Sequence, residues 1–246
     1  MNNVPAKTTV ENPVVVMKRY ELKYVLNGEQ TGFLTESLKG HMQIDRFGLT
    51  SIASLYYDTP DFRLIRNSMD RPEFKEKIRL RSYGLATNDS PVFLELKRKA
   101  YGIVYKRRVQ STIPLVERFL AGEGDVCASG QINSEITYFR DFYGTLVPSC
   151  LIIYDRVAYF EPEGDLRLTV DHDPRYRSDR LDLVTSMDGE SLLTPGSSIL
   201  EIKVQDSVPL WLCEILSKGG IYKNSFSKYG AAYSRQLAGT ARSRKE

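Results

Sequence analysis

The sequence predicts an α+β fold with a mostly antiparallel sheet, and three observations lead there. Eight segments alternate apolar and polar residues at the period of two that a half-buried strand requires. Helical segments fill the longer gaps between them, without the strict strand–helix alternation of a parallel sheet. One face of several strands is almost pure Lys and Arg. At 246 residues the chain suits one domain, since barrels and sandwiches often reach about 250 residues. Its composition, 41% hydrophobic and 26% charged, excludes an intrinsically disordered chain.

Residues 1–13, with Pro5 and Pro13, read as a flexible arm. The folded domain spans 14–237, and 238–246, with Arg242, Arg244 and Lys245, reads as a basic tail. The strands fall at Val14–Leu26, Thr50–Asp58, Phe74–Tyr83, Val92–Lys99, Ile103–Ser111, Leu151–Phe160, Leu166–Asp173 and Ser198–Gln205. Asn27 followed by Gln30 forms a capping box that opens a helix to about Lys39. Further helices are expected at Asp61–Ser68, Pro114–Leu120, Asn133–Tyr143, Pro209–Ser217 and Ser227–Leu237, where Pro114 and Pro209 suit a first turn. Ala121–Gly130 is a loop between helices.

Several function classes drop out. No run approaches the ~20 apolar residues of a membrane-spanning helix, and the first residues lack the n- and h-regions of a secretory signal. The default compartment is therefore the cytoplasm. Cys127, Cys150 and Cys213 form no CxxC, and His41 and His172 are the two histidines, which argues against structural zinc, a disulfide framework and Cys–His or Ser–His catalysis. Net charge is +3, from 34 Lys plus Arg against 31 Asp plus Glu, short of a nucleic-acid binder's bias. No nucleic-acid partner is expected.

Alternate strand residues share a face. On one face lie Arg19, Glu21 and Lys23; then Lys75, Lys77, Arg79 and Arg81; Glu95, Lys97 and Lys99; Lys106 and Arg108; Arg156; Arg167, Thr169 and Asp171; Glu201 and Lys203. Any one such face could be a solvated side. A solvated face would mix signs, however, because like charges repel across strands. Concentrated cations cost stability that a polyanionic ligand can offset, and a barrel with a polar interior can enclose one. Among the isolated acids, Glu201 and then Glu21 are the metal candidates. Carboxylates suit Mg²⁺ or Mn²⁺, held with substrate phosphates. The alternative is that these acids merely neutralise lysines.

The motifs RYELKY (Arg19–Tyr24), KIRLRSY (Lys77–Tyr83), LELK (Leu94–Lys97), YDRVAY (Tyr154–Tyr159), ILEIK (Ile199–Lys203) and SKY (Ser227–Tyr229) resemble the VTC domain, the polyphosphate polymerase domain of the vacuolar transporter chaperone family. The resemblance runs from about Val14 to Leu237 and rests on the number and order of the motifs. It implies membership of the triphosphate tunnel metalloenzymes, relatives of the CYTH type. The implied fold is an antiparallel eight-stranded β-tunnel with a basic interior and helices packed outside. Arg79 and Arg81 would grip a triphosphate, with Lys97 and Arg156 as further catalytic residues. Lys23, Lys77, Lys106, Arg108, Lys203 and Lys228 would contact phosphate, and Glu201 would bind metal.

CYTH relatives begin with ExExK, whereas this chain has Arg19, Glu21 and Lys23, which favours the VTC branch. A domain standing free of the SPX domain and membrane helices of the eukaryotic polymerases suggests a bacterial or archaeal source. The implied reaction moves the terminal phosphate of ATP onto phosphate or polyphosphate, with Mn²⁺ or Mg²⁺ as cofactor. The alternatives are hydrolysis of inorganic triphosphate or nucleoside triphosphates, and a non-enzymatic polyphosphate-binding module.

Overall fold

The computed structural model describes residues 20–101, 103–127 and 130–243. In chain order the elements are β1 (Tyr20–Leu26), α1 (Gly28–Ser37), β2 (Gln43–Asp58), α2 (Arg63–Met69), β3 (Phe74–Tyr83), β4 (Val92–Ala100), β5 (Ile103–Ser111), α3 (Ile113–Leu120), α4 (Gln131–Tyr143), β6 (Val147–Phe160), β7 (Arg167–Arg177), β8 (Glu190–Ser191), β9 (Ser198–Val204), α5 (Leu210–Lys218) and α6 (Lys228–Ser243). All eight expected strands are present, and the two-residue β8 joins them by pairing with β7.

The differences lie at element ends. The first strand is described from Tyr20, so the arm and Arg19 fall outside the described residues. β2 starts at Gln43 rather than Thr50, because its first residues pair with β6 beyond an irregularity between Ile44 and Leu49. α6 continues past Leu237, so the expected tail is helical through Ser243. The capping box forms as expected. The Gln30 amide N–H donates to Asn27 Oδ1 at 2.8 Å and the Asn27 N–H to Gln30 Oε1 at 3.1 Å, satisfying two of the donors that a helix start leaves open.

The sheet order is β1-β9-β7-β6-β2-β3-β4-β5, and every neighbouring pair is antiparallel. No ladder joins β1 to β5 among the described residues. The sheet instead curls until Lys97 on β4 reaches Glu21 on β1, 3.5 Å apart. Side chains thus bridge the gap that hydrogen bonds leave open, and the result is a tunnel.

Period-two patterning then sorts the two walls. Outward-facing Leu55, Ile78, Leu80, Leu94 and Leu96 pack with Val116 and Phe119 of α3 and with Ile136 and Phe139 of α4. On the other half, Leu168, Val170, Leu200 and Ile202 pack with Leu34 of α1 and with Leu212 and Leu216 of α5. Each such fully buried side chain is worth roughly 1.5–3 kcal/mol. These external cores stabilise the sheet without help from its inner wall, which is free to be polar.

The third cluster packs α6 against the inner side of β2 and β6. Tyr229 of α6 stacks on Tyr56, ring centroids 4.5 Å apart, and Tyr233, Ile65 and Ile152 join it. The Tyr229 hydroxyl donates to Asp58 at 2.9 Å. Asp58 also accepts the backbone N–H groups of Leu64 and Ile65 at the start of α2. One fully buried carboxylate therefore anchors two helices to the end of β2.

Candidate anion channel

The inner wall is set by strand parity and ladder register together. Across β3 and β4, Lys75 faces Lys99, Lys77 faces Lys97, Arg79 faces Glu95, and Arg81 faces Phe93. Across β4 and β5, Lys97 faces Lys106 and Glu95 faces Arg108. Across β1 and β9, Lys23 faces Glu201 and Glu21 faces Lys203, while Arg156 on β6 faces Asp171 on β7.

Glu95 is the first hub. It is 1% exposed. Arg79 Nη2 lies 2.8 Å from its Oε2 and Arg81 Nη1 3.7 Å from the same oxygen. Lys106 Nζ lies 2.8 Å and Arg108 Nε 3.6 Å from Oε1. Burial pushes the Glu95 pKa up, but Arg79, Arg81 and Lys106 outweigh it and bring it down to about 2. Arg79 also donates to the Tyr56 hydroxyl at 2.9 Å. Arg81 donates to Ser54 and Tyr154, each at 3.2 Å.

Glu201, Glu21 and Asp171 form the second hub. Lys23 Nζ sits 2.8 Å from Glu201 Oε1 and 3.2 Å from Glu21 Oε1. Lys203 and Arg156 approach the other Glu201 oxygen at 3.6 and 3.9 Å. Arg156 grips Asp171 with two bonds of 2.6 and 2.9 Å, and Lys228 pairs with the same carboxylate from the start of α6. Burial opposes ionisation of all three acids. The cations Lys23, Lys228, Lys203, Arg156 and Lys97 nevertheless hold them below the usual carboxylate range.

Lys77 differs from the other channel cations, since no carboxylate among the described residues pairs with it. Its ammonium is 3.5 Å from the Ser227 hydroxyl and 5.8 Å over the Tyr229 ring. Burial, reinforced by Lys75, Lys97 and Lys23, pulls its pKa down to about 8. Between about 8 and the ordinary 10.5 the unfolded chain binds the extra proton, so stability rises with pH across that window. Anion binding needs the charged form and runs the other way. Calorimetry with tripolyphosphate should show the affinity of wild type falling relative to Lys77→Arg as pH rises through about 8. A constant ratio would mean that the anion does not touch Lys77.

The expected site residues Arg79, Arg81, Lys97, Arg156, Lys23, Lys106, Arg108, Lys203, Lys228, Glu201 and Glu21 are linked into this network, and Lys77 stands beside it. Lys75 and Lys99 lie beyond, at the sheet end near Arg71. Parity alone missed Ser54 and Tyr56, uncharged residues on a strand whose inner face carries no cation. Nor does parity show that Glu95 gathers cations from both β3 and β5, or Asp171 from β6 and α6, since a single acid in a basic strand looks incidental until its neighbours are paired.

The curled antiparallel sheet, with buried carboxylates that organise its inward cations, has the build of a basic tunnel suited to polyanions. A family model described as the VTC domain matches residues 18–236. The chain belongs to the VTC domain family. Among solved structures, it is similar to a candidate adenylate cyclase from Bacillus halodurans, with 15% identity, a TM-score of 0.54, and coverage of 86% of this chain and 96% of that one. It is also similar to a candidate adenylyl cyclase from Hippeastrum, described as having a dominant triphosphatase activity, with 17% identity, a TM-score of 0.52, and coverage of 87% and 94%. No curated protein sequence matches the chain. No helix among the described residues is long and apolar enough to cross a membrane.

Proposed function

We propose that this protein is a phosphotransferase that moves the terminal phosphate of ATP onto phosphate or a growing polyphosphate chain inside the basic channel. The observation that carries the choice of acceptor is the state of the acids. Glu95, Glu201, Asp171 and Glu21 are each already paired with a lysine or arginine of the channel, which makes them poor proton acceptors. Attack by water gains from a general base, whereas a phosphate oxygen is already an anionic nucleophile. An acceptor oxygen bonds to the terminal phosphorus, the bond to the bridging oxygen breaks, and ADP leaves with that electron pair. Phosphoryl transfer asks mainly for positioning and charge neutralisation. Arg79, Arg81, Lys97 and Arg156 supply these, the arginines with forked geometry.

Mn²⁺ or Mg²⁺ fits the donors present. Glu21 and Glu201 converge on one point, now taken by the Lys23 ammonium. Among the described residues no cluster of three Asp, Glu, His or Cys side chains could form a protein cage. Such a donor set suits an ion that brings phosphate oxygens and water with it. When bound, the metal would neutralise charge on the phosphates in flight. The cytoplasm is the proposed setting, in keeping with the free thiols of Cys127, Cys150 and Cys213.

A second reading, triphosphate hydrolysis, is favoured by the activity described for the Hippeastrum protein. Incubation with ATP and Mn²⁺, followed by gel analysis of chain length and a phosphate-release assay, separates the two. Chains that lengthen with ADP formation support the transferase. Release of free phosphate with no chain growth overturns it in favour of the hydrolase.

A further inference from the structure

Lys77 on β3 meets Ser227, just before α6, and towards the other end of that strand the charged wall gives way to rings. Tyr83 is the last inward residue of β3, two positions beyond Arg81, and Phe93 lies opposite Arg81 on β4. The two rings meet edge to face with centroids 5.7 Å apart. The Arg108 guanidinium carbon lies 3.7 Å over the Phe93 ring, and its Nη2 donates to the Tyr83 hydroxyl at 3.0 Å. Tyr83 is 48% exposed, so its ring is open to solvent and is not core. Gln110 shares the inward parity of Arg108 and faces Phe93 across the β4–β5 ladder. Its amide offers both a donor and an acceptor.

We propose that Tyr83, Phe93 and Arg108 form a subsite for the planar base of a nucleoside triphosphate, with Gln110 placed to meet the base edge. The inference rests on the phosphotransferase reading and adds to it the part of the substrate that carries no phosphate. Along β3 the inward residues run Lys77, Arg79, Arg81, Tyr83, and six residues of strand rise about 20 Å. Phosphates on the cations therefore place an attached nucleoside at the ring end of β3, because Ser227 and Tyr229 stand against Lys77 at the other. An arginine plane backed by an aromatic ring is a stacking surface for any base. Arg108 also approaches Glu95, so the subsite is continuous with the clamp. Inorganic triphosphate, having no ring, would leave this surface unused.

Calorimetry with ATP and with inorganic tripolyphosphate tests the assignment on wild type, Phe93→Leu and Tyr83→Leu. The leucine substitutions keep apolar bulk and remove the ring. Stacking on one side chain is worth roughly 1–3 kcal/mol, so the ATP-to-tripolyphosphate affinity ratio should fall about 5- to 150-fold in at least one variant. A ratio unchanged in both variants overturns the subsite and leaves the function proposed above standing. Wild-type protein that binds neither ligand overturns both. Circular dichroism identifies a misfolded variant, and the other then decides.

Discussion

Glu95→Gln is expected to cost the free protein about 3 kcal/mol of stability, and tripolyphosphate should restore much of it. Removing one partner of a buried ion pair leaves the other charge uncompensated, which typically costs about 3–5 kcal/mol. Here the stranded charges are Arg79 and Arg81, whose side chains are 23% and 7% exposed. Lys106 and Arg108 reach water and contribute little. A bound polyanion supplies the missing negative charge, so the variant should gain more from it than wild type. Urea denaturation of both proteins, with and without tripolyphosphate, reads this directly. A variant as stable as wild type without anion would show that Glu95 is not the organising charge. The pH dependence carries the same sign. The Glu95 pKa is depressed on folding, so its contribution is present above about 4.5 and is lost as pH falls toward about 2.

Glu201→Gln should lower metal-dependent turnover about 100- to 1000-fold, the range seen when one stabilising group is lost from a transition state. Tripolyphosphate binding should survive, because Arg79, Arg81 and Lys106 are gathered by Glu95 and not by Glu201. The structure adds a cost to this substitution. Glu201 also neutralises Lys23, Lys203 and Arg156, so the variant should melt earlier. Turnover is therefore measured well below the melting transition, with Mn²⁺ and Mg²⁺ titrated separately. Normal turnover at every metal concentration would exclude Glu201 as a ligand. Activity that persists in excess chelator would exclude metal dependence itself.

Much of this architecture is legible in the sequence because one rule governs it. Period-two alternation locates strands and assigns each residue to a wall. It places Lys23, Arg79, Arg81, Lys97, Arg156 and Glu201 on one surface without reference to strand pairing. Partner identity is not legible in this way. Arg156 and Asp171 lie fifteen residues apart and meet through β6–β7 register, shifted by an irregularity near Tyr154 that no local signal announces. Lys97 and Glu21 meet only because the sheet curls, a consequence of accumulated strand twist over many strands. The docking of α6 is likewise hidden, since Tyr229 looks like any amphipathic helix residue until Asp58 is seen beneath it.

The gap between β1 and β5 has a consequence for solubility. Strands at a sheet boundary present backbone groups that a second molecule can pair with, and natural proteins guard such boundaries with charge. β5 carries Lys106, Arg107 and Arg108 in succession, Lys106 and Arg108 facing the channel and Arg107 paired with Glu135 of α4 on the other face, and β1 carries Glu21 and Lys23. The connection before α6 already covers part of β1, where the Asn224 N–H takes the Lys23 carbonyl at 2.8 Å. The cations of β5 thus repel a second copy of the same strand as well as attracting phosphate. Variants that neutralise several of them to probe the channel would also unguard that strand, and self-association at high concentration is the result to watch for before any loss of activity is ascribed to the site.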